Sequence, residues 1–130
     1  MVATKGIHHL VLTVKNLKKS KEFYEKVCGM KVFSQDQYSV GLSDNHIDSL
    51  WLSTPRDKPF VAHSFNRNNI GLDHWAFKID SMEGLKEVER YLKDLNIPME
   101  NDGITDDDFG GIAIFTQDPD GMKVEFHLVK

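Results

Sequence analysis

The chain repeats itself at half its length, and this repeat limits the folds that are open to it. The segment GIHHLVLTVKNLKKSKEFYEKV, which begins at Gly6, aligns with GLDHWAFKIDSMEGLKEVERYL, which begins at Gly71. The offset between the two segments is 65 residues, measured from His9 to His74, in a chain of 130. A repeat of this kind predicts two copies of one structural unit.

Each copy reads as a strand, a helix and three further strands. Alternating apolar residues in IHHLVLTV and DHWAFKID are typical of strands with one buried face. Apolar stripes after the N-cap residues Asn16 and Ser81 predict the helices. The β-like runs that follow are KVFSQ, YSVGL and DSLWLS in the first copy, and IPME, GIAIFT and MKVEFHLV in the second. The predicted fold class is α+β, with paired βαβββ modules.

The stretch that joins the two copies is polar and contains Pro55 and Pro59, which is typical of a linker on the surface. We predict one domain over residues 1–130, made of modules 1–56 and 68–130 with a linker at 57–67. A chain of this length suits one compact domain.

Composition narrows the function classes. The formal net charge is −4 and no long basic run is present, which argues against nucleic acid or an anionic membrane as the partner. The single cysteine, Cys28, cannot form an internal disulfide or a cysteine-rich zinc site. We find neither the apolar core of a signal peptide nor a run as long as a membrane span, so we expect a cytoplasmic protein.

Three side chains of metal-ligand type lie opposite the apolar faces of predicted strands. In the first strand of each copy these are His9 and His74, which occupy equivalent positions of the repeat. In the last strand, Glu125 lies opposite Val124 and Phe126. If the helices cover the apolar faces, these three residues share the opposite side of the sheet. Two histidines and one carboxylate suit a divalent transition metal with open coordination positions.

The segments IHHLVLTVKNLKKSKEFYEKVCGMKV, GLDHWAFKIDS and FTQDPDGMKVEF resemble the vicinal oxygen chelate superfamily, the glyoxalase/bleomycin-resistance/extradiol dioxygenase fold. This resemblance implies a half-open eight-stranded barrel with the helices outside and a cavity inside. It also implies metal ligands at His9, His74 and Glu125. The ion would be divalent iron, manganese, nickel or zinc, and the sequence does not select among them.

The resemblance does not fix the reaction. Glyoxalase I enzymes of this superfamily carry a fourth ligand, a glutamate, at or near the position of Trp51. The three-ligand set looks more like extradiol dioxygenases or fosfomycin-resistance transferases. Those transferases have a threonine where this chain has Val11, and their potassium loop is replaced here by the acidic ENDGITDDDFGG. We therefore predict a metal-dependent enzyme that acts on a small oxygenated molecule chelated at the metal, with dioxygenase-like or glyoxalase/lyase-like chemistry. The alternatives are a non-catalytic binding protein of the bleomycin-resistance kind and a fosfomycin-type thiol transferase.

Several further residues carry expectations of their own. His127 shares a face with Glu125 and is a candidate either for orienting a metal ligand or for acid–base catalysis, the alternative being an exposed residue near the C-terminus. Tyr38 and Trp51 are candidates for lining the cavity and contacting the substrate. His8 is expected to point away from His9, and the run TDDD at 105–108 to be a solvated loop. The resemblance further implies a homodimer, in which His9 of one chain can meet His74 and Glu125 of the other.

Overall fold

The structure is a computed structural model, and it describes residues 1, 3–45, 49–55, 59, 64–107 and 109–129. It divides into two compact units, Met1–Val61 and Ala62–Lys130. Much of the predicted linker at 57–67 lies outside the described residues. The module boundaries 1–56 and 68–130 therefore stay a prediction.

The described part of the first unit forms one sheet and one helix. Its first and last strands pair in parallel, and the remaining pairs are antiparallel. Across the sheet, the first strand is followed by the fourth, the third and the second. The elements in chain order are β1 (His9–Thr13), α1 (Leu17–Lys26), β2 (Lys31–Gln35), β3 (Ser39–Ser43) and β4 (Ser49–Ser53).

Helix α1 begins where the sequence predicts and covers one face of this sheet. The Asn16 side chain accepts a hydrogen bond from the backbone N–H of Lys19 at 3.0 Å, which satisfies one of the otherwise unpaired N–H groups of the first turn. Phe23 and Tyr24 are buried on α1, which contacts β3 and β4. The alternate residues of β1 and β4, among them His9, consequently lie on the opposite, open face.

The second unit repeats this plan. Its first and last strands again pair in parallel, and the strand order is β5-β8-β7-β6. The elements in chain order are β5 (His74–Ile79), α2 (Met82–Asp94), a 3₁₀ turn (Glu100–Asp102), β6 (Thr105–Asp106), β7 (Ile112–Gln117) and β8 (Lys123–Leu128).

Helix α2 covers the apolar face of the second sheet. The Ser81 hydroxyl accepts a hydrogen bond from the backbone N–H of Gly84 at 3.1 Å and caps the helix. Leu85 and Leu92 are fully buried on this helix, and Val124 and Phe126 of β8 are buried as well. The intervening residues of β8 lie on the open face. Within the described part of the chain, neither helix has the length and apolar character that crossing a membrane requires.

The predicted fold class is confirmed: among the described residues, two α-helices and two four-stranded mixed sheets form two βαβββ modules. One predicted strand, IPME, is wrong. Of its residues only Met99 forms an isolated bridge, with Thr116, and a 3₁₀ turn follows. Directly after this segment, Asn101 and Asp102 have φ values of 53° and 60°, in the left-handed region, so the chain does not continue as a strand there. The corresponding strand is the short β6, within the acidic run that was predicted to be a loop.

The buried stripe of α2 gives a stability prediction. Leu92→Ala should lower the free energy of unfolding by about 2–5 kcal/mol, because the truncation leaves a cavity in a fully buried site. Leu95→Ala is the matched control, since Leu95 follows the same helix but is 40% exposed. Urea denaturation followed by circular dichroism measures both variants. Equal losses for the two would contradict the assignment of the buried face.

Candidate metal-binding site

Two of the predicted metal ligands meet on the open face of the second sheet. The Nε2 atom of His74 lies 3.3 Å from Oε2 of Glu125. Strands β5 and β8 pair in parallel with Ala76 opposite Glu125, so that His74 is its diagonal neighbour two residues along. The small Ala76 side chain beside the carboxylate allows the longer imidazole to reach it.

The neighbouring Asp73 determines which nitrogen of His74 carries the proton. Nδ1 of His74 lies 2.7 Å from Oδ1 of Asp73. A carboxylate only accepts hydrogen bonds, so Nδ1 donates, and in the neutral ring the lone pair is left on Nε2. This lone pair faces Oε2 of Glu125, which is also an acceptor. Two facing acceptors need a cation or a proton between them.

The electrostatics of Asp73 agree with this arrangement. The hydrogen bond from His74 lowers the pKa of the Asp73 carboxyl below its ordinary value, and burial opposes this shift. Arg67 lowers the pKa further through its charge and through the hydrogen bond from Nε to Oδ2 of Asp73, at 3.2 Å. Asp73 is thus held as an anion that orients His74. Sequence reasoning passed over this residue, although a carboxylate directly before a candidate ligand is a usable signal.

The other oxygen of Glu125 faces His127. Nδ1 of His127 lies 2.8 Å from Oε1 of Glu125 and 3.4 Å from Oδ2 of Asp107. Since both neighbours are carboxylates, Nδ1 is the donor. Both contacts of Nδ1 are to carboxylates of the site, which favours a role for His127 in orienting Glu125 over a role in acid–base catalysis.

Asp107 corrects the prediction that the acidic run is a solvated loop. Its side chain is only 8% exposed, and Oδ1 accepts hydrogen bonds from the backbone N–H groups of Phe109 and Gly111, at 2.8 and 2.6 Å. An aspartate that accepts from the residue two positions later forms an Asx turn. The sequence DDFGG, with glycines after the aspartates, carries the signal that could have revealed this turn.

In the first unit, His9 is exposed on the open face of its sheet. Its Nδ1 atom lies 2.9 Å from Nδ1 of His8, and the two rings meet edge to face. The expectation that His8 points away is therefore wrong. His8 precedes β1, so strand alternation does not govern its direction. The contact engages Nδ1 of His9, so Nε2 is the nitrogen with which His9 would act as the predicted ligand.

The open face that carries His9 also carries a row of apolar side chains. Val11 and Gly41 are the register partners of Trp51 on its two sides, so these residues point to one face. The rings of Phe33 and Trp51 meet edge to face with centroids 5.3 Å apart. A Cβ at Gly41 would lie 2.6 Å from the Phe33 ring, so glycine is required for the ring to lie over the sheet. The candidate Tyr38 lies beside β3 and is 59% exposed.

The residues present fit a divalent ion. Two donor atoms that bind one ion at about 2.1 Å each, at a right or tetrahedral angle, lie about 3.0–3.4 Å apart. The 3.3 Å between Nε2 of His74 and Oε2 of Glu125 falls in this range. His9 occupies the equivalent strand position in the first unit. The structure thus brings together two of the three predicted ligands within one unit, and the complete set stays a prediction.

A cavity of about 580 Å³ in the second unit adjoins the two ligands. Among the described residues that line it, five are acidic and only Arg67 and Lys123 carry permanent positive charge. Arg67 pairs with Asp73, and Lys123 pairs with Glu100. The acidic lining residues are Asp73, Glu100, Asp106, Asp107 and Glu125. The excess of negative charge in this lining attracts a cation and repels an anionic ligand.

Comparisons with known protein sequences identify the family of this chain. The family model for the Glyoxalase/Bleomycin resistance protein/Dioxygenase superfamily matches residues 6–126. Metallothiol transferase FosB of Lysinibacillus sphaericus is 33% identical over 128 residues, which cover 97% of this chain and 84% of the relative. Lactoylglutathione lyase of Neisseria meningitidis is 28% identical, covering 91% of this chain and 86% of the relative.

Solved structures share the fold at low sequence identity. A glyoxylase/bleomycin resistance protein/dioxygenase domain from Frankia sp. superposes with a TM-score of 0.81 at 22% identity, covering 98% of this chain and 94% of the other. Fosfomycin resistance protein FosX of Mesorhizobium loti superposes with a TM-score of 0.73 at 18% identity, covering 98% and 95%. These likenesses establish the fold alone.

The link between Asp73 and His74 gives a pH prediction for the metal-free protein. The pKa of Asp73 should be below the ordinary value of an aspartate and should rise in His74→Ala and in Arg67→Ala, since both neighbours lower it. Because the folded-state pKa is depressed, the stabilisation from Asp73 is complete above the ordinary pKa and is lost as the pH falls through the folded-state pKa. Carboxyl ¹³C NMR titration measures it. An unchanged pKa in His74→Ala would show that the hydrogen bond is absent.

Proposed function

Since the chain belongs to the glyoxalase/bleomycin resistance protein/dioxygenase superfamily, we propose that it is a metal-dependent enzyme that acts on a small oxygenated substrate. His9, His74 and Glu125 hold one divalent ion of iron, manganese, nickel or zinc in this proposal. The observation that supports it most is the pair of facing acceptors, Nε2 of His74 and Oε2 of Glu125, 3.3 Å apart. A set of three protein ligands leaves positions open for two neighbouring oxygens of a substrate.

The proposed chemistry divides between the ion and the chain. When bound, the ion supplies a Lewis acid that polarises the oxygens of the substrate. Asp73 holds the proton of His74 on Nδ1 and thereby keeps Nε2 available as a ligand. The aromatic row around Trp51 and Phe33 provides an apolar surface on the face that carries His9, and we assign it, with Tyr38, to the carbon part of the substrate.

We favour a reaction on a thiol or a thiol conjugate. The two curated relatives described above are named metallothiol transferase and lactoylglutathione lyase, and both names denote chemistry of this kind. Among these reactions, a lyase or isomerase reaction on an uncharged oxygenated group suits the acidic cavity. Dioxygenase-like chemistry is the competing reaction within the proposal, because the three-ligand set, with Trp51 in place of a fourth glutamate ligand, favours it over glyoxalase I chemistry.

A fosfomycin-type thiol transferase is the second candidate, supported by the 33% identity to the metallothiol transferase. Two features of this chain weigh against a phosphonate substrate. Val11 stands where those transferases have threonine, and the excess of carboxylates in the cavity repels a phosphonate anion. A non-catalytic protein that binds a small molecule is the remaining alternative.

Loss of any one ligand tests the site. His9→Ala, His74→Ala and Glu125→Gln should each weaken metal affinity strongly. Loss of a residue that only orients a metal ligand typically costs ~10–100-fold, and loss of the ligand itself should cost at least as much. Glu87→Gln on the exposed face of α2 is the charge-matched control and should keep full affinity. Metal content after loading and dialysis gives the affinity, and circular dichroism checks the fold. Full metal content in all three variants would overturn the proposed site.

The proposed homodimer has a direct test when the metal site is shared between chains. His9→Ala and His74→Ala each lack a ligand, but a mixed dimer then contains one site with all three ligands. Random reassembly should restore metal content to about one quarter of the wild-type value. No restoration, together with a dimeric mass in sedimentation, would place all three ligands in one chain. A monomer in sedimentation would contradict the homodimer itself.

The reaction class is tested on metal-loaded protein. We expect turnover with a hemithioacetal formed from a small thiol and a 2-oxoaldehyde, no oxygen uptake with catechols, and no consumption of fosfomycin with a thiol. Oxygen uptake would indicate a dioxygenase. Consumption of fosfomycin would indicate a thiol transferase. Ligand-binding without turnover on any of these would indicate the non-catalytic alternative. Glu125→Gln serves as the inactive control.

A further inference from the structure

We propose that His127 and Asp107 are positioning residues that fix the carboxylate of Glu125, so that Oε2 is presented to the metal and Oε1 is withheld from it. This inference rests on the proposed function, because it concerns the same metal site. The inference gives a role to Asp107, in the acidic segment at β6, which is not among the predicted metal ligands.

The two oxygens of Glu125 have different neighbours. Oε2 faces Nε2 of His74 at 3.3 Å, and Oε1 accepts a hydrogen bond from Nδ1 of His127 at 2.8 Å. The Glu125 side chain is only 10% exposed, so water provides little of the stabilisation that a buried carboxylate needs. The donor on His127 therefore fixes the rotation of the carboxylate about its terminal bond.

Asp107 in turn holds His127. Oδ2 of Asp107 lies 3.4 Å from Nδ1 of His127. Oδ1 is anchored to the backbone N–H groups of Phe109 and Gly111, and the Asp107 N–H donates to the carbonyl of Gly111 at 2.9 Å. The Asx turn thus makes Asp107 a fixed point of the loop. A ligand whose outer partner is fixed is pre-organised for metal.

Gly111 provides the room for this pair. A Cβ at Gly111 would overlap Oδ2 of Asp107 and would lie 2.7 Å from Cε1 of His127. The backbone of Gly111 does not have the positive φ that excludes other residues, so alanine is compatible with its conformation. Gly111→Ala should therefore displace the Asp107–His127 pair while leaving the turn of the chain possible.

Both ligands in the second unit then follow one design. His74 uses Nδ1 to contact Asp73, and Glu125 uses Oε1 to contact His127. Each ligand has a second polar atom engaged by a neighbour, and the two engaged atoms lie on opposite sides of the 3.3 Å gap between Nε2 and Oε2. The arrangement leaves one defined atom of each residue for the ion.

The main test compares two replacements of His127. His127→Leu keeps volume but removes the donor, and should weaken metal affinity by ~10–100-fold. His127→Asn places an amide N–H near the position of Nδ1 and should restore most of the affinity. Competition with a chelator measures affinity, and the visible spectrum of the Co(II)-loaded protein reports the ligand geometry. We expect a shifted spectrum for His127→Leu and a wild-type spectrum for His127→Asn.

Asp107 and Gly111 extend the comparison. Asp107→Asn should weaken metal affinity and shift the Co(II) spectrum. Asp106→Asn removes the same charge from the same cavity and should leave the Co(II) spectrum unchanged. Gly111→Ala should weaken affinity in the wild-type background but add little in His127→Leu, because both changes remove the same contact. Equal affinities for His127→Leu and wild type, or equal losses for His127→Leu and His127→Asn, would overturn the proposal.

Two further outcomes separate this inference from the proposed function. If the wild-type protein binds no metal, the proposed function fails, and histidine ¹⁵N NMR of the metal-free protein decides the inference. A proton on Nδ1 of His127 that is lost or shifted in Asp107→Asn supports the positioning contact, and a proton on Nε2 alone overturns it. Binding of two metal ions, with one lost in His127→Leu, would also overturn it, because His127 would then be a ligand.

Discussion

The buried carboxylate of Glu125 is the group on which the arrangement of the second unit depends. It lies on β8 between two imidazoles, with Nε2 of His74 on one side and Nδ1 of His127 on the other. One imidazole presents a donor and the other, held by Asp73, presents a lone pair. One oxygen of this carboxylate therefore accepts a hydrogen bond, whereas the other faces a lone pair and is stabilised by a cation or a proton.

This asymmetry links the fold to the proposed chemistry. Parallel pairing of β5 with β8 places the first and last strands of the unit side by side, although they are the elements most distant in its sequence. Helix α2 covers one face and so commits the alternate residues to the other. The same plan in the first unit puts His9 on an open face with an aromatic row beside it. Duplication of one unit therefore yields a histidine from each copy.

The sequence predicted those parts that follow from strand alternation and from the repeat. The period of two in β5 and β8 placed His74, Glu125 and His127 on one face, and the cap residues Asn16 and Ser81 marked both helix starts. It did not predict the contacts that depend on short or irregular segments. Strand β6 has two residues, too few for periodicity to be read, and the Asx turn of Asp107 depends on backbone N–H groups of the following loop. The contact between His8 and His9 lies at a strand end, where alternation gives no direction.

The location of a bound ion tests the central claim most directly. Crystals of the protein grown with Zn(II) or Co(II) should give an anomalous difference peak within about 2.0–2.3 Å of Nε2 of His74 and Oε2 of Glu125. Oε1 of Glu125 should stay hydrogen-bonded to His127 in the same crystals. A peak coordinated instead by Asp107 and His127, or no peak at Glu125 at saturating metal, would contradict the account.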